Sequence, residues 1–255
     1  MKKNITWFAF GTCLFSTAVF AEDKTLGFDM GLGFNFKQLE YSVVDVKFKP
    51  RFNTLVINAT TFYSRASITA EHEVMLTSDP IYGADSLGAA NTVDFKREDS
   101  ALTLGYSAWR GLTVFGGYKQ GSTTTYALYS ALDSQVFTNT ASGPFIGVNY
   151  GFRIGEGVLG VSFAYADLRG ETSLLFLGTG VGTDVPGKTR GSSYGISWSA
   201  PLTQELQFRL SLKTNRYRFT VNDPAQDLAG IASPAVILNT DENYTILGIS
   251  FSKQF

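Results

Sequence analysis

Cysteine is all but missing from this 255-residue chain: the single Cys13 falls among the first fifteen positions. Past that point no disulfide framework and no thiolate metal site can form. Histidine is equally scarce, with His72 alone, so a transition-metal set would have to rest on one imidazole and scattered carboxylates. Charge is sparse and balanced, with 21 Lys and Arg against 22 Asp and Glu. There is no basic patch for nucleic acid and no acidic tail. After the first twenty positions no apolar run reaches the ~20 residues that a membrane-spanning helix needs.

The N-terminus has the layout of a secretory signal. Lys2 and Lys3 precede an apolar run from Ile5 to Val19, Ala21 closes it, and Glu22 and Asp23 follow. The run is interrupted by Gly11, Thr12, Ser16 and Thr17, which argues against a permanent helix. Residues 1–21 are therefore expected to be a cleaved signal peptide, and 22–255 a single exported domain. Cys13 is too early to be a lipid-anchored first residue.

What fills the remainder is period-two alternation. Phe28, Met30, Leu32, Phe34 and Phe36 share one face, and Asp29, Gly31, Gly33, Asn35 and Lys37 the other. The same holds for Leu102–Ala108, Ile146–Phe152, Leu159–Tyr165, Tyr194–Trp198 and Leu206–Leu212. A water-facing sheet would put many Lys and Glu on its polar face. Here that face is mostly Gly, Ser, Ala and Thr, which suits a narrow or crowded interior.

The last segment, Tyr244 to Phe255, alternates in the same way. Leu247, Ile249, Phe251 and Phe255 lie on one face, with Lys253 where an apolar residue is usual. A closing amphipathic strand ending in an aromatic resembles the assembly signal of Gram-negative outer-membrane β-barrel proteins, with Phe251 and Phe255 as its aromatics. The resemblance implies an all-β, closed antiparallel transmembrane barrel in the bacterial outer membrane. It also implies contact with outer-membrane lipid and lipopolysaccharide, delivery through the barrel-assembly machinery, and a monomer.

Strands at Leu26–Tyr41, Asn53–Tyr63 and Ala66–Leu76, plus seven from about Phe95 onward, give ten; eight with a long first hairpin is the alternative. Short connections at Ser64-Arg65, Trp109–Leu112, Arg153–Gly157 and Ala200–Gln204 are expected on the periplasmic side. Long loops are expected outside, at about 77–96, 124–142, 168–190 and 222–242. Trp109 and Trp198 beside short turns read as an interfacial aromatic girdle. Strict counting gives Trp109 interior parity, so a bulge or the turn must rotate it.

Interior charges need partners. The interior-facing candidates are Asp29, Arg153 and Arg209 toward the short-turn end, and Glu71, Lys119 and Lys213 nearer the middle. Two ionic layers are expected, either plugging the lumen or lining a narrow path. His72 has Val74 two places on, no second histidine and no Asp-x-Asp pair, so it lacks the partners of barrel lipases and of omptin-type proteases. Gly182-Thr-Asp-Val-Pro-Gly-Lys-Thr189 spells a P-loop, but a strand pattern follows it where the chemistry needs a helix. No catalytic residue, metal, nucleotide or cofactor is expected. The apolar stretches Tyr126–Leu132, Leu174–Leu177 and Leu228–Leu238 read as a lid, as strand extensions or as a binding surface. The leading function is a small passive channel for small or modestly apolar solutes, along Gly147, Gly151, Gly160, Ser162, Gly195 and Ser197. The alternative is a non-conducting structural or surface-recognition barrel.

Overall fold

The computed structural model describes residues 26–43, 46–78, 81–84, 90–128, 134–176, 180–222 and 239–255. The expected signal peptide and the Leu228–Leu238 stretch lie outside these. Ten long strands form the staves: β1 (Leu26–Val43), β3 (Arg51–Tyr63), β4 (Ala66–Ser78), β6 (Ala90–Trp109), β7 (Leu112–Leu128), β8 (Ser134–Ile154), β9 (Gly157–Phe176), β10 (Val181–Pro201), β11 (Leu206–Val221) and β12 (Asn239–Gln254). Two short strands sit at the long-loop end: β2 (Val46–Phe48) pairs with β1, and β5 (Ile81–Ala84) with β6. Each stave is antiparallel to the next, and β12 pairs with β1 from Asp29↔Gln254 to Val43↔Thr240. The sheet closes on itself, so no stave is left as an edge.

Burial follows the alternation. In β1, Phe28, Met30, Leu32, Phe34 and Phe36 are exposed on the outer wall, while Asp29, Asn35 and Lys37 are buried inside. Exposed Leu102, Leu104, Ile146, Val148, Val161, Phe163, Ile196, Leu210, Leu212, Leu247 and Phe251 continue the apolar band around the girth. A surface this apolar in a closed sheet is a lipid face, and transmembrane barrels are built in this way.

The expected long loops are mostly strand. β6 begins at Ala90, β7 and β8 pair from Leu128↔Ser134 downward, and β9 and β10 from Phe176↔Val181. The apolar stretches 126–132 and 174–177 thus belong in part to strand ends, and the P-loop-like Gly182–Thr189 is extended chain in β10. Strands of 20 or 21 residues, at ~3.3 Å per residue and a tilt of about 40°, stand roughly 50 Å tall against an apolar band of about 25 Å. The barrel therefore projects well beyond the band at its long-loop end.

Short turns close the other end. Gly111 (φ 76°) and Gly155 (φ 61°) supply left-handed turn positions that favour glycine, and Ser64 (φ 53°) takes the same conformation. In β6 the register steps from Ser107↔Thr113 to Trp109↔Leu112, leaving Ala108 as the extra residue of a bulge. The bulge turns Trp109 to the outer wall, where it is 69% exposed.

Candidate functional site

The chemistry of this molecule is concentrated inside the barrel. Lys37 from β1 and Glu73 from β4 form an ion pair at 2.7 Å, with side chains only 4% and 5% exposed. Asn35 Nδ2 donates to Glu73 at 2.7 Å, and the Thr54 hydroxyl donates to the same carboxylate oxygen. Lys37 also lies 3.9 Å from Asp99 of β6. Asp99 takes both arms of Arg97, at 2.7 and 2.8 Å. Arg97 then crosses the lumen to β12, where it donates to Glu242 at 3.3 Å and to the Tyr244 hydroxyl. Tyr244 donates in turn to Glu242 at 2.7 Å.

A second bridge crosses elsewhere. Lys119 of β7 donates to the Tyr217 hydroxyl of β11 at 2.5 Å and lies 4.5 Å from that ring's centre. Neither β6 and β12 nor β7 and β11 are neighbours in the sheet. These contacts therefore tie opposite walls together. Buried charges survive in such a place only when each is paired and hydrogen-bonded, as these are.

Apolar side chains fill the space around the network. Leu39, Phe52, Phe95, Tyr244 and Ile246 form one cluster, and Phe115, Phe145, Ala164, Ala166 and Leu168 another. Interior glycines are their seats. A Cβ at Gly147 would fall inside the Phe115 ring, one at Gly187 inside the Phe219 ring, and one at Gly191 inside the Tyr217 ring. At these positions the small interior residue is packing room for a neighbouring aromatic. Two interior cavities measure about 40 and 60 Å³. A single water needs ~10–15 Å³ on this measure, so each holds a few waters at most.

Of the residues singled out in the sequence, Glu71, Lys119 and Lys213 line the same interior cavity. Asp29 and Arg209 are buried toward the short-turn end, at 1% and 6% exposure. Both Asp29 carboxylate oxygens and Arg209 Nε lack a hydrogen-bond partner among the described residues. Arg153 is exposed at the end of β8, opposite Val158 and one residue short of the final pair Ile154↔Gly157. Trp198 stands on the outer wall with Trp109. Phe251 and Phe255 are exposed there too, with the Phe255 ring 6.1 Å from that of Phe28. His72 points outward, its Nδ1 2.8 Å from Ser100 Oγ, while Glu73 beside it is buried inside.

Lys37, Glu73, Arg97, Asp99, Glu242 and Tyr244 were not among the sequence candidates. Lys37 and Glu73 have interior parity and could have been found from it. Arg97, Asp99 and Glu242 sit in or next to segments expected to be loops, where parity was not read.

A closed ten-stave antiparallel barrel with an apolar girth and a bonded interior defines the class: a transmembrane β-barrel. Comparison with known structures gives the same fold. The chain resembles the outer membrane protease OmpT from Escherichia coli, with a TM-score of 0.59 and 15% identity over 92% of this chain and 98% of that one. It also resembles the translocator domain of the autotransporter NalP from Neisseria meningitidis, at 0.54 and 10% over 92% and 90%. At these identities the likeness is one of fold, and the fold is that of bacterial outer-membrane barrels. No protein-family model matches the sequence, and no curated protein sequence matches it.

Proposed function

We propose that this protein is a non-conducting outer-membrane barrel that works at its outer surface, through the wall and loops that project beyond the lipid band. The observation that carries this reading is the cross-lumen network. Arg97 and Lys119 each reach a stave on the opposite wall, and two cavities beside them measure about 40 and 60 Å³. The passive channel expected from the glycine-lined face needs a continuous path; Phe115 packs over Gly147 on that face, and nearer the long-loop end Phe219 and Tyr217 pack over Gly187 and Gly191. Protease chemistry stays with the OmpT neighbour, since the sole histidine here lies on the outer wall, away from the buried carboxylates.

Single-channel recording of the refolded protein in a planar bilayer tests the proposal. Wild type is expected to be silent. Replacing Lys119 and Tyr217 by alanine together removes one bridge and the ring that fills its space, and is expected to produce small openings. Steady ohmic openings from wild type would sink the non-conducting reading and restore the channel.

A further inference from the structure

The outer wall of β9 to β12 and β1 changes character abruptly above the apolar band. Phe36, Leu247, Leu212, Tyr194 and Tyr165 end the band on these five staves, and each is exposed. Immediately above them lies a groove of about 720 Å³ that includes Gln38, Thr245, Thr214, Ser192, Arg216 and Arg190. The groove sits where the headgroup layer of the outer leaflet meets the barrel.

Three arginines, Arg190, Arg216 and Arg218, line it against two carboxylates, Asp241 and Glu40, and Glu40 also faces Lys49 at 3.6 Å. Arg190 and Arg218 are directly opposite each other on β10 and β11. Like charges in that position repel and weaken the pairing unless an anion lies between them. Asp241 holds Arg218 with two bonds, at 2.7 and 3.1 Å. Among the described residues Arg190 has only Asp167, at 3.9 Å, with both side chains more than 60% exposed. Arg216 is exposed and has no carboxylate partner among the described residues. Its cross-strand neighbours are Ser192 on one side and Asn243 on the other, both neutral hydrogen-bonders. A guanidinium flanked by a hydroxyl and a side-chain amide presents a fan of donors matched to a phosphate. Directly opposite on β9 and β10, Arg169 and Lys188 add a further exposed cationic pair.

We infer that this groove is a binding site for the phosphate of an outer-leaflet lipid, whose acyl chains lie on the band below and whose phosphate is held by Arg216 and Arg190. The site deepens the surface-acting reading above, on which it rests for its place in the membrane, and it does not depend on a closed lumen. The occupant is a phosphorylated glycolipid anchored in the bilayer: the apolar band and the donors are contiguous, and each would be half-used by a free phosphate.

The test uses the full chain refolded in neutral detergent. Diphosphorylated lipid A, the same lipid stripped of phosphate, and inorganic phosphate are the three probes, with binding read by native mass spectrometry and by the shift in melting temperature. Wild type is expected to retain lipid A and melt higher with it, with affinity falling as salt is raised. Arg216→Gln is expected to weaken binding by about tenfold, the loss of one charge-assisted hydrogen-bonding group. Lys96→Gln, which removes an exposed cation from β6 on another part of the wall, is expected to change nothing. Equal weakening by Lys96→Gln would overturn the site in favour of a diffuse field. Equal binding of the phosphate-free lipid would overturn it in favour of the apolar band alone. Full protection by inorganic phosphate would overturn the lipid as occupant. A conducting wild type would sink the non-conducting reading and leave this result standing.

Discussion

At the scale of single residues, neighbours in sequence have opposite fates. His72 and Glu73 are adjacent in β4, yet one meets the outside and the other is the hub of the interior network. Glu73 satisfies Lys37, Asn35 and Thr54 together. Glu73→Ala leaves the buried Lys37 ammonium with only the more distant Asp99 at 3.9 Å among the described residues, and truncating one member of such a pair typically costs about 3–5 kcal/mol. Urea unfolding of the refolded protein should show a loss of that order. His72→Ala removes one exposed bond to Ser100 and should fall within about 1 kcal/mol of wild type. Equal effects from the two variants would contradict the interior placement of Glu73.

At the scale of elements, the bulge in β6 carries a sharper test than any single contact. Period-two geometry means that adding or removing one residue flips every side chain beyond it. Ala108 is the residue skipped in the register with β7, between Ser107↔Thr113 and Trp109↔Leu112. Deleting it should merge two register steps into one, keep Trp109 outward, and leave a folded barrel whose tryptophan fluorescence is still quenched by brominated lipid. Deleting Leu104, in the regular ladder, should invert one part of β6 and abolish folding. A folded Leu104 deletion, or loss of quenching in the Ala108 deletion, would mean that the register is set elsewhere. The same physics explains what could be read in the sequence. β1 was legible because Phe28 to Phe36 face lipid and Asp29 to Lys37 face inward, so hydropathy itself alternates. Above the band both faces turn polar, as at Lys96 and Glu98 outside and Arg97 and Asp99 inside. The strand continues but the hydropathy signal fades, so the expected strand starts only at about Phe95, five residues after β6 begins, and its first charged positions were not read for parity. The network was half-legible for that reason: Glu71, Lys119 and Lys213 fell within readable alternation, and Arg97 and Glu242 did not.

At the scale of the whole molecule, closure is what makes the ten staves one object. In hydrocarbon an unpaired backbone N–H or C=O costs several kcal/mol, so a sheet with a single open seam has no stable place in a bilayer. The seam here is β12 against β1, strengthened by the Phe255 amide donating to the Phe28 carbonyl at 2.9 Å. Ile249 sits in the middle of it, opposite Phe34 on one side and Leu210 on the other. Proline there removes a ladder donor and clashes within the strand, and central strands do not accept it. Ile249→Pro should eliminate the compact, heat-modifiable form on unheated gels, with all-or-none loss instead of a graded shift. Tyr82→Pro is the matched control, since β5 pairs with β6 alone and lies outside the closed circuit. That variant should keep the compact form. If Ile249→Pro still yields it, the seam is not where the chain closes, and the partition into ten staves and two accessory strands fails with it.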